Sequence, residues 1–186
     1  MSGLAGFDFQ ALNRKYLAQP SNDAAHYGAS IMRTRAMDCW RCIGVYHLTP
    51  EENRGRHNVF IECLDESGNR LRWPIVIWAW TLDGPIQQKH LDKPANEPAA
   101  DIPIDKNATV TMWVADSMDS DSVGNLHARH ADEAPGNTWG HVSFYVVFQR
   151  QAGAIVTPPI DPPPIPLTLE QRVAALEAWR QTMEGD

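Results

Sequence analysis

Apolar and polar positions alternate most strictly over Gly140–Arg150, GHVSFYVVFQR. Val142, Phe144, Val146 and Phe148 fall on one side, and Ser143, Tyr145, Val147 and Gln149 on the other. Alternation of this length, rich in aromatic and β-branched residues, predicts a β-strand. It closes a block that opens with a first strand over Trp40–Leu48. Asn58–Asp65 reads as a second strand, with Val59, Ile61 and Cys63 on one face and Phe60 and Leu64 on the other. Arg70–Trp80 reads as a third, with Pro74 marking an edge or a bulge. Ala108–Ala115 alternates cleanly and is a fourth.

The connections carry the turn chemistry. Asp65-Glu66-Ser67-Gly68-Asn69 is a tight polar turn, so residues 58–80 are expected to form a hairpin. Thr49–His57 reads as a polar loop. Thr81–Asn107 and Asp116–Gly140 are long and irregular, and connections of that length commonly cross between sheets or carry function. Few strands with long crossings predict a mainly β protein, an Ig-like or jelly-roll-type β-sandwich over residues 39–150.

The flanks have other periods. Residues 1–38 read as an N-terminal arm that lies on its own or a neighbouring surface. Within it Phe7, Phe9, Leu12, Tyr16 and Leu17 suit a short amphipathic helix ended by Gln19-Pro20. Residues 151–166 contain TPPIDPPPIP, a stiff polyproline-like linker. Residues 167–186 read as a helix, opened by a Thr168–Gln171 capping box. Leu169, Val173, Leu176 and Met183 take heptad d, a, d and d positions, with Arg180 at the remaining a. Arg172-Val173-Ala174-Ala175-Leu176-Glu177 resembles the short Arg-h-x-x-h-Glu motif of trimeric coiled coils, where h is apolar. In that motif an Arg at g reaches a Glu at e of the next helix, the spacing Arg172 and Glu177 keep. A homotrimer follows as the expected assembly. The competing reading is an amphipathic helix packed on its own domain.

Composition narrows the function classes. The chain has 186 residues, 43% of them hydrophobic, with seven tryptophans, which argues against global disorder. A net charge of −7 without a dense basic patch argues against a nucleic-acid partner. Membrane insertion is not expected, since apolar runs stay short of the ~20 residues of a spanning helix. The first residues lack the basic start and apolar core of a signal peptide, so synthesis in the host cytoplasm is expected. Cys39 and Cys42 form a C-x-x-C and Cys63 stands alone. Zinc needs a fourth ligand, and a redox pair prefers a helix start to a strand. Buried structural thiols are expected, with a disulfide as the alternative.

Several groups are candidates for chemistry. Asp116, Asp119 and Asp121 before Gly124 echo a calcium loop, but Val123 and His130 occupy positions where an EF-hand needs ligands. His127, His130 and His141 with Asp132 and Glu133 offer a metal or acid–base set, against the commoner role of loop histidines as hydrogen bonders. Glu51 and Glu52 are adjacent, and adjacent carboxylates rarely converge on one bond. Nucleophile-elbow, zincin, Walker and Rossmann patterns are missing from the sequence. No cofactor and no enzymatic activity are expected. Trp40, Trp73, Trp78, Trp80, Trp113 and Trp139 could build an aromatic platform for sugar rings. Trp78 and Trp80 share a strand face, and Trp78, Trp80 and Trp139 are the candidate glycan contacts. The alternative for most of these is core packing.

Three segments, HLTPEENRGRHNVFIECLDESGNRL, LDKPANEPAADIPI and HARHADEAPGNTWGHVSFYVVFQR, resemble an uncharacterised bacterial and phage β-sandwich domain. That domain accompanies cell-wall lysozyme or carbohydrate-active domains and occurs in virion surface proteins. The resemblance spans roughly residues 40–150 and implies an Ig-like or carbohydrate-binding-like module. With the trimeric stem, it leads to the expectation of a phage virion structural protein, a capsid decoration protein or head fibre. The N-terminal arm would contact the major capsid protein or another virion protein. The alternatives are a tail-tip receptor-binding component and a module that binds cell-surface glycans.

Overall fold

The computed structural model describes residues 6–73, 75–81, 85–104, 108–128 and 142–152. The chain divides into two units, Met1–Gly153 and Ala154–Asp186, and the second lies outside the described residues. The expected linker over 151–166 and the trimer contacts Leu169, Arg172, Val173, Leu176, Glu177, Arg180 and Met183 therefore lie almost wholly outside them. Trp139 does too.

The first unit is mainly β and is built on two sheets. The first sheet has six strands: β1 (Ser21–Asn22), β3 (Cys39–His47), β4 (Asn58–Leu64), β7 (Ala100–Pro103), β9 (Asp119–Ser120) and β11 (Phe144–Gln151). Its order is β1-β3-β11-β4-β7, with β9 pairing β3 beside Cys39 and Trp40 while β1 pairs it beside Gly44 and Val45. The closing strand β11 is central, antiparallel to β3 and parallel to β4. The second sheet has five strands in the order β2 (Ser30–Met32), β10 (Ser122–His127), β8 (Thr109–Ala115), β5 (Val76–Thr81) and β6 (Gln87–His90).

The alternation read from the sequence explains how the sheets pack. Phe144, Val146 and Phe148 of β11, with Val59, Ile61 and Cys63 of β4, face Ile77, Ala79, Val110, Met112 and Val114 of the second sheet in one apolar core. The opposite positions of the first sheet, Phe60, Leu64, Tyr145 and Val147, form a second cluster with Phe7, Phe9 and Tyr16. The helix that supplies Phe9 and Tyr16, α1 (Phe9–Ala18), is capped by Asp8, whose side chain accepts from the Ala11 amide. It stops at Gln19, ahead of Pro20.

One register change makes that packing fit. The β3–β11 ladder slips between Val147 and Phe148, so Ile43 and Gly44 together face Val147. The bulge turns Gly44 toward α1, and a Cβ there would lie 2.1 Å from the Tyr16 ring. Glycine is what lets the helix approach.

Of the two surfaces open to residues 1–38, the described part lies on the chain's own: α1 covers the first sheet, β1 joins that sheet, and β2 joins the second. Three expectations change. Residues 58–80 are not a hairpin, because β4 and β5 belong to different sheets and only a Leu64–Arg70 bridge follows the turn. Arg70 is held there by the Glu62 carboxylate and the Pro94 and Glu97 carbonyls, and the chain then crosses. The Asp116–Gly140 loop contains β9 and β10, and β10 was hidden by a bulge at Gly124–Asn125. Thr49–His57 contains a short helix, α2 (Pro50–Asn53), closed by a capping box between Thr49 and Glu52.

Candidate functional site

Among the described residues, the aspartate and cysteine candidates and Glu52 are committed to the fold. Asp121 is fully buried, and its carboxylate accepts from Arg33 Nη1 at 2.6 Å, Arg41 Nη1 at 3.1 Å, the Thr34 amide at 2.9 Å and the Cys42 amide at 3.0 Å. Asp116 accepts from Trp40 Nε1 and the Met118 amide, and Asp119 accepts from the Thr34 hydroxyl. Burial pushes the Asp116 carboxyl up, but its donors outweigh this and hold it below the ordinary value. The three carboxylates thus turn to separate protein donors instead of one ion. Among the described residues no group of three or more His, Cys, Asp or Glu side chains is placed to hold a metal.

His127 lies opposite Thr109 in the β8–β10 ladder. His130, Asp132, Glu133 and His141 lie outside the described residues. Glu52 accepts from the Thr49 amide at 2.8 Å and the Tyr46 hydroxyl at 3.1 Å, so Glu52 belongs to the α2 cap, with Glu51 beside it in the first turn. Cys39, Cys42 and Cys63 are all free and buried. Cys42 and Cys63 both register against Phe148, which separates them by two strand spacings, about 10 Å. That is too far for a disulfide. Burial pushes the Cys42 thiol up to about 12, so it is a poor nucleophile.

A buried polar cluster that the sequence did not announce lies under α1. Glu62 is fully buried in the first sheet, pairs with Arg70, and leaves its Oε1 without a hydrogen bond. Tyr145 donates to Asn13 Oδ1 at 2.9 Å. Burial pushes the Glu62 carboxyl up against the opposing pull of Arg70. Beside the cluster is a half-open cleft of about 260 Å³ whose rim includes Gln10, Asn13, Arg14 and Leu17. Arg70 in its wall already donates to Glu62 and to the Pro94 and Glu97 carbonyls.

The surface best arranged to meet a partner is the outer side of the second sheet. Val110, Met112 and Val114 of β8 are buried, which puts Thr109, Thr111, Trp113 and Ala115 on the outer side, each partly exposed. In β5, Ile77 and Ala79 are in the core, so positions 76, 78 and 80 share the outer side. Register then aligns Met32, Ser122, Trp113, Trp78 and Gln88 in one row across all five strands. Trp80 lies opposite Thr111 in the next row. Beyond Gln88, Trp73 stacks on His90 with ring centroids 4.2 Å apart. Met32 is 64% exposed, Trp73 62% and Ile86 56%.

Register places positions 78 and 80 of β5 beside Trp113 and Thr111 of β8, in a sheet whose described exposed residues include Met32 and Trp73. Trp40 leaves the platform, because it is fully buried. Met32 was not legible as a member, since pairing of residues 30–32 with β10 depends on a contact of long sequence separation. No protein-family model, no curated protein and no solved structure matches this chain.

Proposed function

We propose that the chain is a non-catalytic structural protein of a phage-type virion, a capsid decoration protein or head fibre that works as a homotrimer. The β body is read as an Ig-like or jelly-roll-type sandwich, modified by the parallel β4–β11 pair at the centre of the first sheet. The observation that carries the reading is the C-terminal pattern: Arg172 and Glu177 bracket Val173 and Leu176 at trimer spacing behind a proline-rich spacer. Two heptads alone are marginal, so the helix draws on the linked bodies, and three linked contacts raise avidity without new chemistry. The commitment of Asp121, Glu52 and the buried thiols to the fold supports a binding role over a catalytic one.

The mode of attachment differs from the one first expected. Phe7, Phe9 and Tyr16 are already buried against the chain's own first sheet, so contact with the major capsid protein or another virion protein falls to the surface of the body.

Two measurements test the proposal. Light scattering of the full chain beside a version ending at Ala154 should give a trimer and a monomer. Two monomers would remove the stem. Quantitative mass spectrometry of density-purified particles should then find the protein at a copy number divisible by three, and its absence from particles would remove the virion assignment.

A further inference from the structure

We propose that the cleft between α1 and the end of β4 is a binding site for a small carboxylate with an apolar body, a role independent of how the chain assembles. One wall is the side of α1 that carries Phe9, Asn13, Arg14 and Leu17, and the other includes Leu64 and Arg70. Spacings of three and four residues bring those α1 positions onto one side of the helix. Leu17 packs on Gly68 of the opposite wall, where an added Cβ would lie 2.6 Å from its Cδ1, and that contact joins the two walls. The volume is about 260 Å³. Pockets for drug-sized ligands run to roughly 300–1,000 Å³, so this cleft suits a smaller molecule.

Charge selects the occupant. The lining carries two guanidinium groups, and among the described residues no Asp or Glu joins them. Arg70 is fixed before any ligand arrives, because it donates to Glu62 and to the Pro94 and Glu97 carbonyls and lies over the Phe9 ring at 5.1 Å. Its charge is offset by Glu62, which is fully buried and outside the lining. Arg14 differs. It is exposed and makes no ion pair or hydrogen bond with a described residue. The acids of the adjoining turn are engaged elsewhere, Asp65 by Asn69 and Glu66 by Arg150. An unpaired positive charge therefore stands beside Phe9, Leu17 and Leu64, in a chain that carries −7 overall. A carboxylate gains a charge-assisted hydrogen bond from Arg14, and its hydrocarbon part covers those apolar residues. An ammonium would meet like charge, and an uncharged analogue would forgo the guanidinium.

The experiment is saturation-transfer NMR on the full-length protein with benzoate and hexanoate as probes, and benzyl alcohol and benzylamine as uncharged and cationic controls. Saturable binding of at least one carboxylate is expected, tighter than either control and weakened by added salt. Arg14→Gln should weaken it about fivefold, the scale of an exposed ion pair. Gln10→Trp, at an exposed position in the same wall, should block it by filling the cleft. The unfolding midpoint should stay unchanged in both. Should Arg14→Gln fail to fold, Gln10→Trp and the salt dependence decide the same question. Failure of both carboxylates to bind the wild type overturns the proposal. Binding that neither substitution alters places the carboxylate elsewhere on the molecule and overturns it as well. Tighter binding of benzyl alcohol or benzylamine than of benzoate would overturn the assignment of a carboxylate.

Discussion

Gly44 shows how much a single position decides. The bulge in β3 directs it at the Tyr16 ring, whose carbons would lie 2.1–2.5 Å from an added Cβ. Backbone and a buried ring cannot both yield, so Gly44→Ala should destabilise by about 1–3 kcal/mol, as overpacking does, measured by urea denaturation. Truncating the ring with Tyr16→Ala should make the Gly44→Ala cost shrink, a coupling that a double-mutant cycle reads directly. Additive costs would mean that α1 does not rest on Gly44. Tyr16 was legible as a position on the helix's apolar face, but its meeting with Gly44 was not, because the bulge that turns Gly44 is set by pairing with the distant β11.

Asp65 is a second residue with a readable consequence. Its carboxylate accepts from the Asn69 side chain and from the Asn69 and Ser67 amides, and these donors hold its carboxyl below the ordinary aspartate value. The folded state therefore favours the charged form. The stability this adds is present above the unfolded-chain value and is lost as pH falls through the lower folded value. Asp65→Ala should lower stability at neutral pH and flatten the acid limb of a stability–pH curve. A variant with an unchanged acid limb would show that the turn holds without the charge.

Among the elements, those with strong alternation were legible and those held by distant partners were not. β3, β4 and β8 appear within a residue of their expected limits, and β11 ends within one residue of its limit but starts four residues later, at Phe144; their inward positions are apolar and β-branched or aromatic. β6, with the sequence QQKH, and β10, with SVGNLH, lack that pattern. β10 is a strand because Asp121 beside it is clamped by Arg33, Arg41 and the Thr34 and Cys42 amides. The clamp fixes the chain between β2 and β3 to the start of β10. Asp121→Ala should leave the Thr34 and Cys42 amides without their acceptor, take one acceptor each from Arg33 and Arg41, and cost about 3 kcal/mol, in the range for breaking a buried ion pair. Amide exchange at Thr34 should accelerate together with exchange in β10. Faster exchange at Thr34 alone would confine the clamp to the loop.

At the scale of the whole molecule, the candidate site was half legible. Trp78 and Trp80 announced a shared face by their spacing, whereas the row through Trp113 to Met32 exists only because β2, β10, β8 and β5 are neighbours in one sheet. The largest revision is likewise one of connectivity. Residues without a clear period looked like an arm, yet their few aromatic residues fill the outer cluster of the first sheet.

That revision makes a prediction about deletion. Removing residues 1–38 would strip the helix from Tyr145, Val147 and Phe60, remove one edge strand from each sheet, and take Arg33 and Thr34 from buried Asp121. Each loss exposes apolar surface or takes donors from a buried charge, and a domain is held folded by only roughly 5–15 kcal/mol. The shortened chain should therefore lose cooperative thermal unfolding and bind a hydrophobic dye, whereas the version ending at Ala154 should unfold as one transition. If the chain lacking residues 1–38 instead unfolded cooperatively at an unchanged midpoint, the segment would be dispensable to the body. Its aromatic residues would then be free to serve as the attachment arm that the sequence first suggested.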